Sequence, residues 1–131
     1  LEPVGVRRNS SKNAEKGDLK GRLVSYASRV LHLVRALPNT REGIHIADQI
    51  VRSGTSPAPN YAEAQDAESA ADFIHKLKIV LKELRETEVW LLIIVESELL
   101  KKTAVQPLID ETNELISIFV ASVNTARKKK A

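Results

Sequence analysis

The chain predicts an all-α fold: an antiparallel up-down-up-down four-helix bundle with an irregular, proline-kinked second helix. Three observations carry that expectation. Apolar residues recur at three- and four-residue steps in four stretches, the period of a helix with one buried face. Capping residues and prolines punctuate those stretches, as they do where helices start and stop. The connections between them are short, which makes successive helices antiparallel neighbours. With 131 residues, the chain is long enough for one domain with a single core.

The first helix starts after Asp18, a suitable N-cap, and carries Leu19, Leu23, Tyr26, Val30, Val34 and Leu37 on one stripe. Pro38-Asn39 stops it, because the residue before a proline is pushed out of the helical region. Thr40 can cap the second helix, with Glu42 in the first turn, where the helix dipole favours negative charge. Ile44, Ala47, Ile50 and Val51 form the second apolar stripe, which runs to Gly54. Pro57 and Pro59 each lack an N–H and crowd the preceding turn, so the helix must kink or break there. The helical pattern resumes from Asn60 through Ala67, as two short helices or one long bent one. Gly54, Ala58, Ala62 and Ala64 are small enough to let a neighbouring backbone come close at this irregularity.

The third helix, Ser69 to Leu99, is the longest, roughly 45 Å at 1.5 Å per residue. Ile74, Leu77, Leu81, Leu84, Leu91 and Val95 form its seam, widened by Phe73, Val80, Trp90 and Ile94. Between Val89 and Val95 it is apolar on every side, and a helix apolar all round is buried all round. One face of each helix in a small bundle is otherwise wet. A second subunit is therefore expected to cover this stretch, which places Trp90, Ile93 and Ile94 at an oligomer interface. Lys101-Lys102 closes the third helix, and Pro107 fits the first turn of the fourth. Leu108, Thr112, Leu115, Phe119 and Val123 face inward there, with Asp110, Glu111 and Glu114 outward.

Three regions follow. Residues 1–17 show no period and are expected to be disordered, 18–126 form the bundle, and 127–131 form a basic tail. The net charge of +3 sits at the ends: residues 1–17 carry +2 and residues 127–131 carry +4, leaving the body at −3. A nucleic-acid reader with a basic groove shows the opposite distribution, and charged tails also serve simply as solvated ends. Arg127, Lys128, Lys129 and Lys130 also complement the dipole at the end of the fourth helix.

Several kinds of chemistry find no residues to support them. Cysteine is absent, which removes disulfides, thiolate metal sites and a thiol nucleophile. Methionine is absent too, so Leu1 is not expected to be a translation start. The longest apolar run, Val89 to Val95, is seven residues, whereas a membrane span needs roughly 18–20. With no signal-peptide pattern, a soluble cytoplasmic protein is expected. Glu42-x-x-His45 and Asp72-x-x-His75 have the spacing of di-metal bundle ligands. About 22 residues of the second helix separate His45 from the turn, whereas His75 lies near the start of the antiparallel third helix, so the pairs sit about 25 Å apart, far beyond the ~4 Å of a two-metal site. No metal or cofactor is expected. Phosphate-binding glycine loops and nucleophile elbows are missing, so the residues nominate no enzyme.

The stretch from Gln49 through Arg52, Ser56-Pro57-Ala58-Pro59-Asn60-Tyr61-Ala62-Glu63-Ala64 and on to Phe73, Leu77, Leu84 and Glu86 carries a resemblance. It resembles the bacterial four-helix-bundle family of the 23S rRNA intervening-sequence protein, over roughly residues 18–125. Asn60, Ala62 and Glu63 match the family's Ser-Ile-Pro-x-Asn-Ile-Ala-Glu-Gly-like segment, while Tyr61 and Ala64 depart from it. The resemblance implies a single irregular second helix and a homopentamer of bundles, and brings no settled biochemical activity.

Two surfaces are candidates for function. Arg52, Asn60 and Glu63 can form a polar patch, or they can serve the kink locally: Asn60 or Arg52 satisfying freed carbonyls, Glu63 pairing with Arg52 or a neighbouring helix. Lys78, Lys82 and Arg85 fall on one stripe at i, i+4 and i+7. With Lys76 nearby and the terminal Arg127 to Lys130, an oligomer would multiply them into a ring that contacts phosphates without reading bases. Glu83 and Glu86 are expected to blunt that charge. The functional expectation is a non-enzymatic oligomer that engages RNA or DNA non-specifically, or alternatively a protein-interaction scaffold with no nucleic-acid role.

Overall fold

The structure, a computed structural model, describes residues 18–130. Residues 1–17, expected to be disordered, and Ala131 lie outside the described residues. Five helical segments, α1 (Leu19–Arg35), α2 (Arg41–Thr55), α3 (Pro57–Gln65), α4 (Ala70–Glu96) and α5 (Lys102–Lys130), make up the four bundle helices. No strand occurs among the described residues. α1 packs against α2/α3 and α5, and α4 packs against the same two. That closed order puts α1 diagonal to α4, the up-down-up-down arrangement expected of short connections.

The helix starts follow from side chains that accept a backbone N–H. Asp18 Oδ1 accepts from Gly21 N, Thr40 Oγ1 from Gly43 N and Ser69 Oγ from Asp72 N, each at 3.1 Å, satisfying one orphan donor per helix. Gly43 is required at its position. A methyl group there would overlap the Pro38 carbonyl oxygen, so the α1–α2 turn could not fold back over the start of α2. α4 ends in a Schellman motif. Leu99 N donates to the Ile94 carbonyl at 3.1 Å and Glu98 N to that of Val95 at 3.0 Å, with Glu98 at φ 57°.

The second helix bends without breaking. Ser56 keeps right-handed helical angles, φ −69° and ψ −35°, and Pro57 follows as the first residue of α3, where its missing N–H costs least. Thr55 Oγ1 donates to the Val51 carbonyl at 2.6 Å. Asn60 Nδ2 donates to the Ser56 carbonyl at 3.0 Å and to Ser56 Oγ at 2.9 Å. Just before the bend, Gly54 lies on α1: a methyl group there would sit 2.8 Å from both Val30 γ-carbons.

The core runs through the middle of the bundle, with Leu23, Ile50, Leu84, Leu91, Leu115 and Phe119 fully buried. Each such side chain contributes about 1.5–3 kcal/mol relative to exposure. Across the diagonal, the rings of Tyr61 and Phe119 meet edge to face at 5.5 Å. Four expectations need correction. Ile46, not Ile44, is the buried residue early in α2, because the inward face follows the close-approaching Gly43, Ser53 and Gly54; Ile44 is 50% exposed. Pro107 is the sixth residue of α5 rather than one of its first turn, since the helix already begins at Lys102. Arg127 to Lys130 continue α5 as helix instead of forming a separate tail. Ile94 is wholly buried inside the single chain and so cannot serve a subunit interface.

Candidate functional site

Arg52, Asn60 and Glu63 do not form one patch, because α4 draws each charge to a different level. Arg52 Nη1 donates to Glu83 Oε1 at 3.0 Å, and Nη2 pairs with Glu86 Oε2. Glu63 instead accepts from Lys76 Nζ at 2.7 Å. Lys76 and Glu86 are about 15 Å apart along the helix, so the two ion pairs are separate rungs on the seam between α2/α3 and α4. Asn60 is turned to its own helix, as the kink requires. Glu86 also accepts from Trp90 Nε1 at 3.0 Å. The Arg52 hydrogen bond, then that of Trp90, hold its carboxyl below the usual range, and the same pair raises the Arg52 guanidinium.

Drawing Glu83 and Glu86 into that pairing changes the outer face of α4. Lys78, Lys82 and Arg85 are all exposed on one stripe, and none pairs with a carboxylate among the described residues. At i, i+4, i+7 and i+11 the same stripe continues to Val89, with Leu92 beside it. The outer face is therefore basic in its first half and apolar in its second. Val89 is 53% and Leu92 50% exposed, whereas Trp90 and Ile93 are only half-buried and pack back on the core. Trp90 meets the His45 ring edge-on at 6.0 Å. The exposed apolar residues of this helix are thus Val89 and Leu92. A fully apolar run still turns one side inward, which is why composition alone cannot place Ile94.

On α5, Arg127, Lys128 and Lys129 are exposed and point 100° apart around the helix, so they address different directions. Among the described residues no group of three or more metal-ligating side chains comes together, and no helix is long and apolar enough to cross a membrane. His75 is exposed, far from the His45–Trp90 contact.

The sequence did not announce a buried hydroxyl layer. Tyr26 on α1, Ser53 on α2, Thr87 on α4 and Thr112 on α5 are at most 1% exposed, one from each bundle helix. Thr112 Oγ1 donates to the Leu108 carbonyl at 2.7 Å, so the Tyr26 hydroxyl donates to Thr112 Oγ1, at 2.6 Å. The Thr87 hydroxyl lies 2.8 Å from Ser53 Oγ and 2.8 Å from the Glu83 carbonyl oxygen. Burial pushes the Tyr26 phenol up to about 12. One turn away, Arg22 Nε donates to Glu111 Oε2 at 2.8 Å and its Nη2 pairs with Glu114. Tyr26 and Thr112 stand on apolar stripes, and their polarity there was the available signal. Hydroxyls at core positions usually find partners.

Two surface grooves flank α5. The larger, about 660 Å³, lies between the start of α4 and the end of α5, lined by Ala70, Phe73, Ile118, Ala121 and Thr125 with Lys129 at one end. The smaller, about 370 Å³, lies between the end of α1 and the start of α5, beside Arg29, Leu33 and Ala104.

Residues 20–121 match the model of the family described as 23S rRNA-intervening sequence protein. Among solved structures the chain is similar to a protein of unknown function from the S23 ribosomal protein family of Bacteroides thetaiotaomicron VPI-5482. The two share 34% sequence identity and superpose with a TM-score of 0.75, covering 79% of this chain and 96% of that one. No curated protein matches the chain.

Proposed function

Because this chain belongs to the 23S rRNA-intervening sequence protein family, we propose that it is a non-enzymatic, cytoplasmic accessory that engages RNA or DNA non-specifically as a homo-oligomer. The observation that carries this reading is the outer face of α4, where Lys78, Lys82 and Arg85 stand exposed while Arg52 takes up the neighbouring Glu83 and Glu86. The acidic residues expected to blunt the stripe are drawn to the other side, where the single charge of Arg52 offsets one of their two. Basic side chains on one helical face contact phosphates without reading bases, and the exposed Arg127 and Lys128 of α5 add to them.

Pentameric assembly is supported by two apolar patches on diagonal helices. Val24 and Leu31 are exposed on α1, and Val89 and Leu92 on α4. A cyclic ring needs head-to-tail contact between two different patches of each subunit, and these supply a pair. The ring would repeat the basic half of α4 once per subunit.

Binding of a fluorescent single-stranded RNA, measured against salt, tests the reading. Each phosphate that a protein neutralises on a single strand adds ~0.7 to the slope of log K against log salt. Replacing Lys78, Lys82 and Arg85 by alanine should therefore lower that slope by about 2. Removing residues 127–131 should weaken binding further. An unchanged slope and affinity in the triple variant would remove α4 from any nucleic-acid role. The second reading, a protein-interaction scaffold, is favoured by the open apolar groove beside α5.

A further inference from the structure

Each residue of a helix is turned about 100° from the last, so the two neighbours of a buried residue point to opposite flanks. On α4, Leu84 is fully buried, and Glu83 before it pairs with Arg52 of α2. Arg85 after it therefore points to the other flank, where α5 is the neighbour. On α5, Thr112 is fully buried, and Glu111 before it pairs with Arg22 of α1. Asn113 after it therefore points away from α1, toward α4. The two helices run antiparallel from one turn. Arg85 stands 11 residues before the end of α4, and Asn113 stands 11 residues after the start of α5. The two side chains thus share one height, on the two banks of the outer seam between α4 and α5. Phe73 and Thr125, which line the larger groove together, keep the same register toward the far end.

The two banks carry different chemistry. Lys78 and Lys82 precede Arg85 on the α4 bank, and Ser117 and Asn124 follow Asn113 on the α5 bank, at steps of three, four and seven that keep each row on one face. All six side chains are exposed. The α4 row is cationic and can only donate, whereas the amides and the hydroxyl of the α5 row both donate and accept. Among the described residues, the side chains of Asn113, Ser117 and Asn124 have no hydrogen-bond partner. The carboxylate at this height of α5, Glu114, is turned to Arg22 on the other flank. No aromatic side chain stands in either row, so bases find no surface to stack on, and the sugar–phosphate backbone is what the seam meets. Packed helices lie about 8–10 Å apart, so a strand whose phosphates rest on the α4 row brings its sugars over the α5 row.

Resting on the nucleic-acid role given above, we propose that the outer α4–α5 seam selects RNA over DNA, with Asn113, Ser117 and Asn124 hydrogen-bonding ribose 2′-hydroxyls while Lys78, Lys82 and Arg85 hold the phosphates. The cations cannot make this choice, because both polymers carry the same phosphates. The 2′-hydroxyl is the group by which a protein tells the two apart, and it both donates and accepts, as the α5 side chains do. Deoxyribose offers them only carbon-bound hydrogen at that position. The selection is for the sugar and not for sequence, because neither row reaches into a base stack.

The probes are a fluorescein-labelled oligouridylate and an oligodeoxyuridylate of the same length, which differ only in the 2′-hydroxyl. Their binding to the full chain is followed by anisotropy across a salt series. The parent should bind the oligouridylate about tenfold more tightly, the ratio that one or two net hydrogen bonds supply. Asn113→Ala, Ser117→Ala and Asn124→Ala combined should bring that ratio to about one and leave oligodeoxyuridylate binding and both salt slopes as in the parent, since no cation is removed. Circular dichroism verifies that the triple variant is folded, and the parent's own ratio is decisive without it. Equal affinity of the parent for the two strands would overturn the proposal and leave the phosphate contacts of α4 standing. A ratio that survives in the triple variant would assign the preference to other residues. Equal weakening of both strands in the variant would assign the α5 row to phosphates, and overturn the proposal as well. Binding of neither strand to the parent would remove the nucleic-acid role itself.

Discussion

Tyr26 shows how one side chain ties stability to pH. Its phenol is buried and donates to Thr112 Oγ1, and its pKa is pushed up to about 12 from 10.0. The folded state therefore keeps a proton that the unfolded chain releases. Stability from this group is intact below pH 10 and falls as pH rises from 10 to about 12, by about 2–3 kcal/mol over the interval. Tyr26→Phe should cost about 1 kcal/mol at neutral pH, the net value of one hydrogen bond, and should flatten the alkaline decline. Urea unfolding at pH 7 and between pH 10 and 12 measures both effects. A variant that loses stability with the parent's alkaline slope would assign that slope to other groups. The ion pairs of Arg52 and Lys76 lie at the surface, where such contacts are worth little, so the buried phenols are where pH is expected to act on the fold, Tyr26 first and then Tyr61, which burial also pushes up.

Among the elements, the end of α4 has a local misfit with the chemistry of its residue. Glu98 adopts φ 57° to let Leu99 N reach the Ile94 carbonyl, and side chains in that region cost roughly 1–2 kcal/mol. Glu98→Gly should stabilise the protein by about 0.5–1 kcal/mol, once the greater freedom of glycine in the unfolded chain is subtracted. A higher melting temperature with an unchanged circular-dichroism spectrum is the expected readout. The sequence could not show this position, because only the paired carbonyls reveal which residue turns left-handed. It showed three of the helix starts, where Asp18, Thr40 and Ser69 are polar residues immediately before apolar periods and each caps, and missed that of α5, which begins at Lys102 and takes Pro107 inside it. It showed the bend less fully. Pro57 and Pro59 announced a kink and Asn60 a partner for a freed carbonyl, which it finds at Ser56, while the helical angles of Ser56 were not written in the prolines. The charged patch was the least legible feature, since Arg52 and Glu63 find partners 31 and 13 residues away, pairings that periodicity does not encode.

At the scale of the whole molecule, the apolar run of α4 divides between two tasks. Leu91 and Ile94 fill the core, and Val89 and Leu92 remain half exposed on the outer face. If the chain assembles through this face, light scattering of the parent should give the mass of five chains. Leu92→Glu should reduce it while leaving helicity intact, because the substituted side chain lies outside the core. A monomeric parent would end the ring and leave the basic face of α4 to act singly. The composition pointed to an unusually buried helix, but which residues of the run face outward depended on the angle at which α4 meets α2 and α5.

The hydroxyl layer has a consequence for how the chain finds this arrangement at all. Leucine and valine are interchangeable partners, so a bundle joined only by them can settle with one helix slid a turn along its neighbours at little penalty. Here each bundle helix brings a hydroxyl into the core, and a slide strands the Tyr26 or Ser53 hydroxyl among hydrocarbon, at about 1–3 kcal/mol for a group left unsatisfied, while Thr87 and Thr112 keep the carbonyls of their own helices. Tyr26, Ser53, Thr87 and Thr112 therefore work as a combination lock, turning four similar greasy rods into a set that closes in one alignment.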